Sequence, residues 1–433
     1  MKILKQTSLI ILIGIIISCT GKSVKKEVVV EKPYKYASMK DSILHLDLLN
    51  SKKDSSVLKL SQIADSLIYI PLETKKECML KNYINELYID GDNIFIQDGW
   101  YVYNYDISGK FKRQIGKVGR GIGECICTGM TVDKNLKRIY INANYKRRLF
   151  VYDYDGKFIS NKARTRRRQQ DVYFCNGDNV LYNTSSYVFF LVEKDRTKYN
   201  PINIFNTKGK LLKSYKSKYF PDNFFVGGIG DRIVVSGAVK YEYKDKMYFQ
   251  EIANDTLYCV NKDTIIPRLV LNSSACQKVP FNSERYHADP KVGMWWFTSG
   301  YKYFPARVTG ESDRFIFLDG VAKPSYIYDK EERTVFCSEE YVEWVEGDKP
   351  GEKKAERYTY MNDMDGVNHM SSDMVINNKY IVRVIDAVDF LSNVDKLKSE
   401  KNVDSKYLAR LEEIAKSLEE ESNPVMILAK LKK

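Results

Sequence analysis

Val102-Tyr103-Asn104-Tyr105-Asp106-Ile107-Ser108-Gly109-Lys110-Phe111 returns as Val151-Tyr152-Asp153-Tyr154-Asp155-Gly156-Lys157-Phe158, with a turn that looks two residues shorter. A looser third copy is Ile202-Asn203-Ile204-Phe205-Asn206-Thr207-Lys208-Gly209-Lys210-Leu211. Each alternates apolar and polar residues, reaches Asp or Asn and a Gly, and then alternates again. That pattern predicts a half-buried strand, a tight turn and a returning strand. Asp106, Asp155 and Asn206 are spaced 49 and 51 residues apart.

Around the first phrase lie Tyr83 to Ile89, a turn at Asp90-Gly91-Asp92-Asn93, and Ile94-Phe95-Ile96-Gln97. Three strands in about thirty residues, repeated near every fifty, predict four-stranded units arranged radially, as in a β-propeller. Further strands are expected at Arg232–Val235, Met247–Phe249, Thr256–Val260, Arg314–Leu318 and Tyr326–Asp329. Residues 272 to 293, with Pro280 and Pro290, read as an insertion. Leu408, Leu411, Ile414, Ala415 and Leu418 share one helical face behind Asp404 or Ser405, and Ala387 to Lys398 predicts a shorter helix. Val425 to Ala429 then returns as a strand. The expected fold is all-β: a six-bladed β-propeller with a short helical insertion in the C-terminal blade.

The chain begins as an address. Lys2 and Lys5 precede an apolar run from Leu9 to Ile17 that is broken by Gly14 and ends at Ser18-Cys19. That run is too short to span a bilayer and reads as a signal peptide. A small residue before Cys resembles the bacterial lipoprotein cleavage box, which implies removal of residues 1–18 and lipidation of Cys19. Residues 19–58, rich in Lys, Ser, Glu and Asp, read as a tether, and 59–433 as the propeller. Thr20 to Lys26 lacks the acidic cluster that directs some lipoproteins to the cell surface, so an outer-membrane, periplasm-facing position is expected. Losing Lys2 and Lys5 lowers the formal charge from +13 to +11. A basic envelope protein meets anionic lipid or glycan rather than nucleic acid. The densest basic run, Lys162 to Arg168, reads as a solvated loop or an anion-binding patch.

Phe111 to Phe158 resembles an NHL-type propeller repeat. The whole chain is similar to six-bladed β-propeller lipoproteins of Bacteroidales-type bacteria. The likeness rests on Ile63 to Glu73, Asn254-Asp255-Thr256-Leu257-Tyr258, Asn362-Asp363-Met364-Asp365-Gly366 and Asn423-Pro424-Val425-Met426. It implies helices in the last blade, and a ring closed by the Ser66 to Leu72 strand beside chain-terminal strands. The chain departs from that family at Ile122 and Cys125, where Pro and an aromatic are usual. It also departs at Val367, where a second Gly is usual, and it lacks a following Phe-Trp-Pro.

Chemistry is sparsely signalled. Gln114 to Glu124 is Gly-rich, but strands follow it where a phosphate cradle needs a helix, so its glycines read as a link between blades. Eight cysteines include no paired CxxC motifs that would point to zinc, and no spacing demands a disulfide. Three histidines (His45, His287, His369) are few for a zinc lyase or a Ser-His-Asp site.

Two ligand-binding candidates remain. Asn362, Asp363 and Asp365, with His369 beyond them, offer hard oxygen ligands like the start of a calcium loop, or a turn held by its own side chains. Trp295 and Trp296, among Tyr286, Phe297 and Tyr301, read as core packing or as a stacking platform at the channel mouth. No cofactor is expected, apart from a divalent cation at the acidic loop. The expected function is a cell-envelope binding module for a glycan, peptide or partner protein. The alternative is a metal-dependent propeller hydrolase or lyase using Asp363 and Asp365 at the channel.

Overall fold

The computed structural model describes residues 32–80, 84–143, 148–163, 170–176, 179–184, 187–191, 202–206, 211–215, 232–236, 239–250, 255–261, 264–272, 306–319, 325–346, 353–366, 369–370, 375–399 and 405–433. Among these, four sheets have four strands, two have six, and two ribbons have two. We number the larger sheets 1 to 6 along the chain. Sheet 1 comprises Ile84–Asp90, Asn93–Asp98, Tyr101–Tyr105 and Phe111–Gln114, all antiparallel. Sheet 2 repeats this with Gly129–Asp133, Arg138–Ala143, Arg148–Asp153 and Phe158–Ala163. Sheets 3 to 6 span 170–215, 239–272, 307–339 and 375–431.

Alternation along each strand buries both faces, each against a different neighbour. In sheet 1, Leu87, Ile89, Ile94, Ile96, Tyr103 and Tyr105 pack with Val382, Met426 and Leu428 of sheet 6. Phe95 and Val102 instead join Met130, Ile139, Ile141 and Tyr152 of sheet 2. Other clusters join sheets 3 and 4, sheets 4 and 5, and sheets 5 and 6. Sheets stacked face to face, with the last packed on the first, make an all-β, propeller-like arrangement. Its closure uses Ala64–Pro71, which pairs with Val425–Leu431 as the fourth strand of sheet 6. Helices Ala387–Ser399 and Ser405–Ala415 lie in the connection before Val425–Leu431, in the last sheet as expected, although the first, expected to be the shorter, is the longer at 13 residues against 11. The first buries Ala387, Phe390, Val394 and Leu397.

The repeat is real, but its register differs from the expected one. Tyr105 pairs with Phe111, and Tyr152 pairs with Phe158, so both turns contain the same number of residues. Phe205 pairs with Leu211 in the third copy. The equivalents of Asp106 are therefore Asp153 and Asn206, 47 and 53 residues apart. Asp106 Oδ1 accepts the Lys110 amide at 3.0 Å, and Asp153 Oδ1 accepts that of Lys157 at 2.8 Å. The turn glycines have φ of +89° at Gly109 and +76° at Gly156. A Cβ at Gly109 would collide with the Pro71 carbonyl of sheet 6, and one at Gly156 would stand 3.3 Å from the Gln114 carbonyl of sheet 1. Each turn seats on the fourth strand of the preceding sheet, which is why glycine recurs there.

The expected tether is too long, because its second half is folded. Ala37–Lys40 and Ile43–Asp47 form a hairpin, and the latter strand runs parallel to Thr264–Asn272 on the edge of sheet 4. Ser56–Lys59 then runs parallel to Thr334–Glu339 of sheet 5 and to Tyr360–Met361. Leu44, Leu46, Leu48 and Leu58 are buried. Residues 34–71 thus run as a belt over the edges of sheets 4 and 5 before closing sheet 6, and covering a sheet edge removes a site of unwanted pairing. Residues 1–31, with Cys19, lie outside the described residues.

Candidate functional site

The acidic loop lies just after Tyr360–Met361, and its Asn362 and Asp365 side chains are buried. Asn362 Oδ1 accepts the Met364 amide at 3.1 Å, and its Nδ2 donates to Asp365 Oδ1 at 2.7 Å. The other Asp365 oxygen accepts the Tyr69 hydroxyl at 2.5 Å. Asp363 is exposed, yet Oδ1 accepts the Ser61 amide at 2.9 Å and Oδ2 the Ser61 hydroxyl at 2.6 Å. The two carboxylates therefore hold different parts of the belt, and the loop clasps the closing strand to the last sheet. Among the described residues, no group of three or more His, Cys, Asp or Glu side chains is arranged to hold a metal ion.

His369 is buried beside this clasp. Its Nδ1 accepts the Asn362 amide at 2.9 Å, and its Nε2 lies 3.4 Å from Glu343. The ring sits 4.5 Å from Tyr341 and 5.2 Å from Tyr358. Burial lowers its pKa, with Glu343 opposing and Arg383 and Lys396 reinforcing the shift. A neutral imidazole accepting at Nδ1 fits this geometry. The structure thus brings Asn362, Asp363, Asp365 and His369 together, whereas Trp295 and Trp296 lie outside the described residues, as do Arg164 to Arg168 of the basic run.

Three features had no clear signal in the sequence. At the end where first strands turn into second strands, Lys134 of sheet 2 donates to Asn377 of sheet 6 at 2.9 Å and lies 3.6 Å from Glu242 of sheet 4. Asn377 also donates to the Ile89 carbonyl of sheet 1 at 2.7 Å. Four sheets meet in this one cluster. Burial raises the Glu242 pKa, and Lys134 opposes it.

Between sheets 4 and 5, Glu311 is fully buried with Arg268 at 3.2 Å, Lys330 at 2.5 Å and the Tyr241 hydroxyl at 3.0 Å. Burial lowers the Lys330 pKa against the pull of Glu311. Three donors around one carboxylate compensate its desolvation, so this network fits inter-sheet packing.

The Gly-rich link explains itself. Glu124 folds back into its own loop, accepting the Gly121 amide at 2.9 Å, and a Cβ at Gly119 or Gly121 would press on that carboxylate. Gly116 and Gly123 have φ of +68° and +72°. The anion in this loop is the chain's own.

In each four-stranded unit, the second-to-third connections and the links to the next sheet leave from the same strand ends. They expose large apolar side chains: Trp100 at 60%, Ile122 at 95% and Trp344 at 66%. Trp100 and Val118 line one small cleft with Lys117 and Gln114. Trp344 stands on a two-stranded ribbon, Tyr341–Glu346 with Lys353–Tyr358, in the link from sheet 5 to sheet 6. Such residues are depleted on free surfaces and mark contact sites when they gather.

One solved structure agrees with this fold, and a second is only loosely similar to it. A Bacteroides fragilis NCTC 9343 protein whose name presents it as exported is 17% identical, with a TM-score of 0.60 over 88% of this chain and 98% of that one. A member of the DUF4221 family from Bacteroides vulgatus ATCC 8482 is 10% identical, with a TM-score of 0.44 over 86% and 98%. No curated protein matches. Residues 44–430 match one family over most of the chain's length, so this protein belongs to the family described as Domain of unknown function (DUF4934).

Proposed function

We propose that this chain is an exported cell-envelope lipoprotein, held to the outer membrane through Cys19, that binds a glycan, a peptide or a partner protein. The observation that carries the binding role is the exposure of Trp100, Ile122 and Trp344 on connections leaving the same strand ends. Propellers present ligand contacts on such connections, while the fold itself sets no chemistry. The acidic loop does not supply a better site, because both of its carboxylates are engaged by Ser61, Tyr69 and Asn362.

Export is supported by the N-terminal apolar run before Cys19 and by the name of the Bacteroides fragilis neighbour. Among the described residues, no helix is long and apolar enough to cross a membrane. The six larger sheets serve as six blades in this reading, with the recurring Tyr-Asp-x-x-Gly-Lys-Phe turn as an NHL-like repeat mark. The test is capture on immobilised protein of fragmented envelope glycan, envelope peptides and solubilised envelope proteins. The Trp100→Ser, Trp344→Ser variant should lose the captured ligand at an unchanged melting temperature. Undiminished capture by that variant would overturn the reading.

A further inference from the structure

We infer that the N-terminal hairpin carries a second binding site, a cleft for a neutral saccharide built on Tyr36, Ser38, His45, Asp47 and Asn50. This goes beyond the binding role above, since it lies on the belt over sheet 4 and not on the exposed connections. The cleft is open to solvent, offers about 330 Å³ and is lined by Tyr36, Ala37, Ser38, His45, Leu46, Asp47 and Asn50. That volume falls within the range of about 300–1,000 Å³ typical of small-molecule pockets.

Its walls are set by strand register. Ser38 pairs directly with His45 across the hairpin, so both side chains stand on one face, and Asp47 follows two residues along on that face. Asn50 donates to both Asp47 oxygens, from its backbone N–H at 3.2 Å and from Nδ2 at 2.6 Å. Asp47 thus holds the Asn50 side chain in place, and the Ser38 hydroxyl, the His45 ring and the Asn50 side-chain carbonyl are left as the cleft's polar groups. A hydroxyl, an imidazole and an amide, with the one carboxylate already held by Asn50, mix donors with acceptors and concentrate no single charge. Vicinal hydroxyls of a sugar match that mixture, whereas a phosphate or an ammonium ligand does not.

The second observation is the backbone of Tyr36. Its φ is +58°, and it is the one aromatic residue with positive φ among the described residues. The kink lets Lys35 bridge to Thr334 of sheet 5 while Ala37 starts the hairpin on sheet 4. Glycine would turn there without strain, but tyrosine adds a ring that packs partly against the cluster between sheets 4 and 5 and leaves the rest of its surface on the cleft. The ring is pinned: its hydroxyl donates to Asp54 at 2.8 Å, and the Lys35 ammonium sits 5.2 Å from its centroid and 2.9 Å from Asp54. A partly exposed aromatic held in a fixed pose on the cleft wall, beside neutral polar groups, offers the apolar surface that one side of a sugar ring covers.

The test titrates the purified full chain with neutral monosaccharides and disaccharides of glucose, galactose, mannose and N-acetylglucosamine. Binding is followed by saturation-transfer NMR and calorimetry. At least one of these sugars should bind the wild type. Tyr36→Gly, which relieves the positive φ but loses the Asp54 hydrogen bond and the packing on the core, should remain folded with a cooperative melt yet weaken binding at least tenfold. His45→Ala should also weaken it at least tenfold, and Tyr36→Phe should stay within threefold. Absence of binding by every sugar overturns the proposal, as does binding within threefold of wild type in both Tyr36→Gly and His45→Ala. Sugar binding that survives Tyr36→Gly but is lost in Trp100→Ser, Trp344→Ser rejects this cleft and leaves the binding role of the connections standing.

Discussion

Replacing Asp365 with Ala separates a structural clasp from a ligand-binding loop. Asp365 is buried and accepts from two groups that are themselves buried, Tyr69 Oη at 2.5 Å and Asn362 Nδ2 at 2.7 Å. Removing a buried acceptor costs about 1–3 kcal/mol for each donor it served, so the pair costs about 4 kcal/mol. With an unfolding entropy of about 2.1 cal/mol/K per residue over the roughly 400 folded residues, that loss lowers Tm by about 5 °C. Asp363→Ala removes an exposed acceptor from Ser61 and should cost about 1 kcal/mol, or about 1 °C. Calorimetric melts of the two single variants, side by side, are the assay. Equal and negligible shifts would refute the clasp and return both carboxylates to the list of ligand contacts.

Three other outcomes follow from the same geometry. Gly109→Ala, which adds a Cβ against the Pro71 carbonyl at φ +89°, should cost about 3 kcal/mol, whereas Gly91→Ala at φ +56° in open space should cost about 1 kcal/mol; chemical denaturation of both measures the difference. A chain beginning at Tyr34 should fold like the mature protein. One beginning at Ser56 loses buried Leu44, Leu46 and Leu48, about 2 kcal/mol each, and should aggregate on size-exclusion chromatography. Because burial holds the His369 pKa below 6.5, the unfolded chain binds its proton first, and stability from this group is full above pH 6.5 and falls as pH drops below it. Tm should therefore decline between pH 7 and 5, and less steeply in His369→Gln.

The repeat was legible because strand alternation and turn chemistry are local. Its register was not, because Tyr154-Asp155 imitates Tyr105-Asp106 while the pairing is set by Gly-Lys-Phe at 109–111 and 156–158. The belt was missed because its strands are only four or five residues long and sit on sheet edges. Ile43 to Asp47 does alternate, with Leu44 and Leu46 buried, and that was the available signal. The acidic loop could be located from its own residues. Its role could not, since Ser61 and Tyr69 lie about 300 positions away in the chain. Lys134 and Glu124 are ordinary turn and link residues until the fold supplies Asn377 and Glu242 to one and the loop turns the Gly121 amide onto the other.

The central claim is that the ligand meets the connections and not the opposite turns. Site-directed photocrosslinking in intact cells tests this directly, with a photoreactive side chain in place of Trp100 or Trp344, and in place of Asp92 or Lys157 in the opposite turns. Adducts of one defined mass from positions 100 and 344, and none from 92 and 157, are the predicted result. Adducts from the turns with none from the connections would contradict it.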